Sequence, residues 1–123
     1  MKRRPVNLNL FTIRFPITAW VSIAHRLSGV FVFLLVPFLL WILQESLASE
    51  ARFMHLSAIL GWPAMQVGLW LFLAALLYHC IAGIRHLLMD IHIGETKAMG
   101  RFGAWLVIVI FVTLYGVIGY WLW

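Results

Sequence analysis

Two histidines, His79 and His86, lie seven positions apart at the end of an apolar segment long enough to cross a lipid bilayer. On a helix that rises 1.5 Å per residue, His79 lies about 16 Å from Asp90, far from the membrane surface. A polar side chain at such depth is costly and usually contacts a partner or a cofactor. Neutral imidazole in an apolar pocket is a common axial ligand of haem iron, and a hydrogen bond to a neighbouring helix is the alternative.

The two histidines are not expected to share one metal ion, because two helical turns separate them by about 10 Å. Gly83 lies one turn after His79 on the same helix face, where it would let a flat macrocycle approach the backbone. Close helix packing explains such a glycine equally well. His86 adjoins Arg85 nearer the membrane surface, where haem propionates or water would lie.

A second polar group, Ser22, His25 and Arg26, precedes the first long apolar segment. Arg26 and Arg85 each adjoin a histidine, and each can pair with a propionate or extend to lipid headgroups. Ser22 and Arg26 lie one turn apart, so together they can bind a quinone carbonyl, although serine also caps helix starts. Trp20 is close enough to line a quinone pocket, but tryptophan is also common at membrane surfaces.

The composition places these residues in an integral membrane protein. Of the 123 residues, 64% are hydrophobic and 11% are charged, with a mean hydropathy of +1.00. Soluble domains are about 45–50% apolar and about 25% charged, so this chain has too little polar surface to face water. The single cysteine, Cys80, excludes an intrachain disulfide, and the sequence has no phosphate-binding loop, CxxC pair or nucleophile elbow. We therefore expect this chain to be non-catalytic on its own.

Three stretches without charged residues suit the hydrocarbon core of a bilayer, which is about 30 Å thick and requires roughly 20 apolar residues. The second stretch is too long for one span, and the tripeptide GWP divides it, with Pro63 suited to a first helical turn. We predict an all-α fold in one membrane-anchor domain, residues 1–123. The transmembrane helices are predicted at residues 22–46, 63–90 and 102–123. Residues 50–60 have apolar side chains at helical spacing, which fits a short interfacial helix or an ordinary loop.

The distribution of charge predicts the orientation in the membrane. Four Lys or Arg residues precede the first span, and Lys97 and Arg101 follow the second. In the loop between the first and second spans, the positive charge of Arg52 is outweighed by Glu45 and Glu50. The positive-inside rule then puts the N-terminus in the cytoplasm and the C-terminus outside. The net charge of +5 reports this topology, and nucleic-acid binding is not expected, since no soluble basic face is available.

Two sequence motifs resemble one known family. The segment RPVNLNLFTIRFPITAWVSIAHRLSG, residues 4–29, resembles the start of the cytochrome b subunit of succinate dehydrogenase, particularly its proteobacterial members. The segment HCIAGIRHLLMD, residues 79–90, resembles the second signature of that family, in which histidine is followed by glycine, an arginine–histidine pair and a closing aspartate. The order and spacing of the apolar segments agree, so the resemblance covers nearly the whole chain.

The resemblance implies a membrane-anchor subunit of respiratory complex II in the bacterial inner membrane. Such a chain forms half of a heterodimeric helical bundle with a second small anchor subunit. The partners implied are that subunit, a flavoprotein that oxidises succinate and an iron–sulfur subunit that carries the electrons, together with membrane lipid. The cofactor implied is haem b, and the substrate is ubiquinone.

Residue by residue, the resemblance places His79 at the axial-ligand position, with the second ligand supplied by the other anchor subunit. Ser22 and Arg26 match positions at the ubiquinone site, and His25 and Arg26 match positions near the haem propionates. Arg85 and His86 match the signature without a defined role. Two alternatives stay open, namely an anchor of a fumarate reductase that uses menaquinol, and a cofactor-free membrane scaffold.

Overall fold

The computed structural model describes residues 14–122, which form four α-helices. These are α1 (Ile17–Ala48), α2 (Glu50–Leu60), α3 (Pro63–Asp90) and α4 (Lys97–Leu122). Three of them, α1, α3 and α4, are long and apolar enough to cross a membrane. The all-α architecture with three candidate spans is therefore confirmed. Residues 4–13 of the first motif, and Trp123 at the end of the third predicted span, lie outside the described residues.

Local signals in the sequence set where the helices begin and end. Helix α3 begins at Pro63, whose missing N–H costs nothing in a first turn, and it ends at Asp90. Helix α4 begins at Lys97, before the predicted residue 102, because the Thr96 hydroxyl accepts a hydrogen bond from the Met99 N–H at 3.3 Å. The predicted span 22–46 lies inside α1, which extends beyond it at both ends.

Residues 50–60 form a helix, so the loop alternative for this segment is wrong. The Ser49 side chain caps α2 by accepting a hydrogen bond from the Arg52 N–H at 3.2 Å, and Glu50 lies in the first turn. Leu56 is the one buried residue of α2, and Arg52 also forms an ion pair with Glu45 of α1 at 3.2 Å. Helix α2 therefore packs against the C-terminal end of α1.

The three long helices pack through small residues. Ala82 of α3 and Ala104 of α4 have no exposed surface, and Val21 and Val107 complete the buried cluster. Small side chains let helix backbones approach closely, which is the usual way in which helices associate within a bilayer. The Tyr78 hydroxyl donates to the Val21 carbonyl at 3.0 Å, which fixes the C-terminal half of α3 against the start of α1.

Candidate functional site

His79 lies near the middle of α3, and its ring is hydrogen-bonded to the backbone of α1. Its Nδ1 lies 3.1 Å from the His25 carbonyl oxygen and 3.3 Å from the Ser28 hydroxyl. A carbonyl oxygen can only accept, so we assign the proton of the ring to Nδ1. The other nitrogen, Nε2, then retains its lone pair, and it has no hydrogen bond with the described residues. An imidazole held in this way is arranged as a metal ligand requires.

Two contacts with α1 hold the His79 ring in place. A Cβ atom built on Gly29 would lie 2.8 Å from Cε1 of His79, so the ring rests directly on the backbone of α1. The ring also stacks against that of His25, with centroids 4.3 Å apart and planes 11° apart. The close approach at Gly29 excludes any larger side chain there unless the ring moves.

Three imidazoles form a row between α1 and α3. His25 lies between the other two, with its centroid 4.3 Å from that of His79 and 4.8 Å from that of His86. The His25 ring also covers Gly83, where a Cβ atom would lie 3.3 Å from Nε2. The Nε2 atoms of His25 and His86 are buried, and neither has a hydrogen-bond partner within the described part of the chain.

Ser22 and Arg26 lie one turn apart on α1, close to the row of imidazoles. Arg26 is exposed and Ser22 is half-buried. Among residues 14–122, neither side chain forms a hydrogen bond or an ion pair. Trp20 is 56% exposed near the same end of α1. A hydroxyl, a guanidinium and an indole are thus available to a ligand at this end of the bundle.

Arg85 does not join this group, although it adjoins His86 in sequence. Its guanidinium donates to the Gly100 carbonyl of α4 at 3.3 Å. Its Nε would lie 3.4 Å from a Cβ atom on Gly103, so the side chain also packs along α4. Consecutive helical residues point about 100° apart, and here His86 faces α1 whereas Arg85 faces α4.

Two residues of the site, Ser28 and Gly29, were not predicted from the sequence. They are the last two residues of the first motif, in the tripeptide LSG that follows Arg26. Ser28 and Gly29 are a pair of small residues on α1. Such pairs indicate that another helix approaches closely within the membrane. That signal does not say which side chain of the other helix occupies the space, which in this structure is the imidazole of His79.

These residues fit one half of a haem site. His79 offers a free nitrogen with its tautomer set by the backbone, and the buried nitrogens of His25 and His86 remain to be paired. Within the described residues, no three His, Cys, Asp or Glu side chains form a metal-ligating group. A haem iron needs only one ligand from each side, because the porphyrin supplies the other four.

Comparison with known proteins decides the family. A sequence model of the succinate dehydrogenase/fumarate reductase transmembrane subunit family matches residues 1–119. The chain belongs to this family.

Individual relatives agree with this membership. The chain is 40% identical over 124 residues to a succinate dehydrogenase cytochrome b556 subunit of Coxiella burnetii, a match that covers 98% of both chains. It is 30% identical over 112 residues to the cytochrome b556 subunit of Rickettsia typhi, with 91% of this chain and 87% of the relative covered. The corresponding protein of Rickettsia bellii is 30% identical over 109 residues.

Membership of this transmembrane-subunit family, together with three apolar helices, identifies a multi-pass membrane protein. Both motifs noted in the sequence fall within the matched residues, including His79 and its neighbours. The contacts described above therefore belong to membrane-embedded segments, where unpaired polar atoms cost more than in water.

Proposed function

We propose that this chain is a membrane-anchor subunit of a succinate:quinone oxidoreductase that supplies one axial ligand to haem b. The hydrogen bonding of His79 is the observation that carries this proposal. Its Nδ1 is held by the His25 carbonyl at 3.1 Å, which leaves Nε2 as the donor atom for iron. The cytochrome b556 names of the relatives in Coxiella and Rickettsia support it. When bound, haem would accept and release single electrons.

The second axial ligand is proposed to come from another small anchor subunit. His79 has one free ring nitrogen, and we propose that the neighbouring His25 and His86, together with Arg26, contact the haem propionates. Large apolar side chains cover the outer faces of the helices, for example Phe33, which is 74% exposed. A second bundle and lipid would cover such faces.

Succinate oxidation is assigned to other subunits. We propose a flavoprotein that oxidises succinate and an iron–sulfur subunit that docks at the cytoplasmic surface of this chain. The N-terminus and the loop between α3 and α4 would then lie on the cytoplasmic side of the inner membrane, and the C-terminus in the periplasm. The excess of Lys and Arg in those segments supports this orientation.

Ser22 and Arg26 are proposed to bind the headgroup of ubiquinone. Both side chains are donors, and neither is engaged by the described residues, so their hydrogen bonds remain available. Their position at the start of α1 keeps the quinone near the soluble subunits while its tail remains in lipid. Trp20 is proposed as a wall of the same pocket.

A fumarate reductase anchor that oxidises menaquinol is the second candidate, because the description of the family includes both enzymes. The residues required at the site are similar, so the quinone that co-purifies with the complex distinguishes the two. In a cofactor-free scaffold, by contrast, the bond between His79 and the His25 carbonyl would serve only to join two helices. The visible spectrum of the purified protein distinguishes the cofactor-free scaffold, which has no haem absorption, from both oxidoreductases.

The haem assignment is tested by replacing His79 with alanine. We expect His79→Ala to abolish the absorption of reduced haem in the purified complex while the flavoprotein still co-purifies. His55→Ala is the matched control, because His55 is an exposed histidine of α2 outside the site, and it should retain full haem content. Normal haem content in His79→Ala would remove the ligand assignment, and a wild-type protein with neither haem nor flavoprotein would favour the scaffold.

A further inference from the structure

We propose that Ser28 is a positioning residue that fixes the tautomer and the orientation of His79. This inference rests on the proposed function, because it concerns the neighbour of the residue that we assign to the haem iron. Ser28 is 9% exposed and is the one buried polar side chain among the described residues. A buried hydroxyl in a membrane helix requires a partner, and the partners of Ser28 are both atoms of the site.

Ser28, His25 and His79 form a closed group of three polar atoms. The Ser28 hydroxyl donates to the His25 carbonyl oxygen at 2.8 Å. The His79 Nδ1 lies 3.1 Å from the same oxygen and 3.3 Å from the Ser28 Oγ. Two of these residues belong to α1 and one to α3, so the group also joins the two helices.

Only one arrangement of protons satisfies all three atoms. An unprotonated Nδ1 would place its lone pair against those of the carbonyl oxygen, which would be repulsive. With its proton on Nδ1, His79 donates a hydrogen bond to the His25 carbonyl. The same N–H makes a second, weaker hydrogen bond to the Ser28 Oγ, so the bond is bifurcated. Because the single proton of the serine is directed to the carbonyl, Oγ turns a lone pair towards the ring. The serine therefore favours the Nδ1–H tautomer, whose Nε2 can bind iron.

Loss of the Ser28 hydroxyl should weaken haem binding and raise the midpoint potential of the haem. Removal of a hydrogen-bond partner from a metal-binding histidine typically lowers metal affinity by about 10–100-fold. The His25 carbonyl remains in Ser28→Ala, so we expect the low end of that range, about a tenfold faster loss of haem. Without the Ser28 Oγ, the Nδ1–H of His79 has a weaker set of acceptors, so the imidazole is a poorer electron donor to iron. A poorer donor stabilises ferric iron less, and the midpoint potential of the haem rises.

The experiment compares serine variants in the complete membrane complex. The haem dissociation rate is measured by transfer to an excess of a soluble haem-binding apoprotein, and the midpoint potential by redox titration of the haem band. Ser46→Ala is the matched control, because Ser46 makes the same hydrogen bond to the carbonyl three residues earlier, at 2.8 Å, without a histidine. We expect Ser28→Ala to change both quantities, and Ser46→Ala to leave both at wild-type values. Ser28→Thr keeps the hydroxyl and should lie nearer to wild type.

Wild-type dissociation and potential in Ser28→Ala would overturn the positioning role, provided that His79→Ala lacks haem. Haem retained in His79→Ala would instead overturn the proposed function, so the two failures are distinguishable. If Ser28→Ala does not assemble, Ser28→Cys replaces it, since sulfur fills a similar volume and is a weak acceptor. A raised potential in Ser28→Cys supports the inference, and an unchanged potential overturns it. A potential of Ser28→Thr equal to that of Ser28→Ala would also count against it.

Discussion

The hydrogen bonding of His25 and His86 is incomplete within residues 14–122. Each has a buried Nε2 atom with no hydrogen-bond partner among the described residues. A buried polar atom left without a partner costs about 1–3 kcal/mol. Two such atoms in neighbouring rings favour a polar group beyond the described residues, such as a propionate, an ordered water or a residue of another subunit.

The two arginines of the motifs have different surroundings. Arg85 is engaged by the Gly100 carbonyl at 3.3 Å and packs along α4, so it joins two helices of the bundle. Arg26 is exposed and has no partner in the part of the chain that the structure describes. Of the two, Arg26 is therefore the better candidate for binding an anionic or carbonyl ligand.

Quinone reduction should depend on Ser22 and Arg26. A hydrogen bond from a charged donor contributes about 1.5–3 kcal/mol and one from a neutral donor about 0.5–1.5 kcal/mol. We therefore expect kcat/KM for ubiquinone to fall roughly 10–100-fold in Arg26→Leu and roughly 2–10-fold in Ser22→Ala. Steady-state assays with a soluble ubiquinone analogue measure both effects.

The same variants should oxidise succinate normally with an artificial electron acceptor, because that reaction does not need the quinone site. Arg101→Leu is the control for loss of a cation, since Arg101 is an exposed arginine at the start of α4. Unchanged ubiquinone kinetics in both Ser22→Ala and Arg26→Leu would remove the quinone assignment.

At the scale of helices, the contact between α1 and α3 determines the geometry of the site. The backbone of α1 at Gly29 touches the ring of His79, and the Tyr78 hydroxyl bonds to the Val21 carbonyl two turns earlier on α1. These contacts fix both the separation of the two helices and their rotation about their own axes. The position of the His79 ring therefore depends on the absence of a side chain at residue 29.

Gly29→Ala should disturb this contact. The added methyl group would lie 2.8 Å from the His79 ring, which is closer than van der Waals contact allows. Overpacking of this kind costs about 1–3 kcal/mol, only partly offset by the helix preference of alanine over glycine of up to about 1 kcal/mol. We expect a lower haem content and a lower midpoint of thermal denaturation in the purified complex.

Gly68→Ala is the matched control for this substitution. Gly68 lies in α3, and a Cβ atom built there has no neighbour within 4 Å. Alanine at this position should keep the haem content and raise the denaturation midpoint slightly, because only the helix preference changes. Equal haem content and stability in Gly29→Ala and Gly68→Ala would contradict the tight contact at His79.

At the scale of the whole molecule, three long helices bury few of their own side chains. The buried cluster consists of four small or medium residues, whereas large side chains such as Tyr120 and Leu47 are 91% and 77% exposed. In water such a surface would aggregate. In a bilayer it is suited to lipid and to a second helical bundle, since apolar side chains cost nothing against acyl chains.

The orientation in the membrane can be measured with single cysteines in a Cys80→Ser background. Ala51 in α2 and Ala98 in α4 are both exposed, so we expect cysteine to fit at either position. A membrane-impermeant maleimide added to spheroplasts should label Ala51→Cys and leave Ala98→Cys unmodified, because the positive-inside rule puts residue 98 in the cytoplasm. Inverted vesicles should give the reverse pattern, and labelling of Ala98→Cys in spheroplasts would refute the orientation.

The sequence by itself determined that the chain has three long apolar helices, and it left residues 50–60 open between a helix and a loop. Apolar length and the signal at Pro63 placed α3, and counting along that helix placed His79 about three turns before its C-terminal end. Helix ends that contain charged residues were less predictable. Helix α4 includes Lys97 and Arg101 because a hydroxyl cap, which hydropathy does not record, starts it earlier.

Only the tertiary structure decided which side chains meet. His25 lies between His79 and His86, Ser28 bonds to the carbonyl that holds His79, and Arg85 faces α4. These contacts depend on the rotation of each helix about its axis and on the point where two helices cross. Both are set by the packing of small residues between helices, such as Gly29 and Ala82. Because that packing joins residues more than 50 positions apart, no pattern within a single segment specifies it.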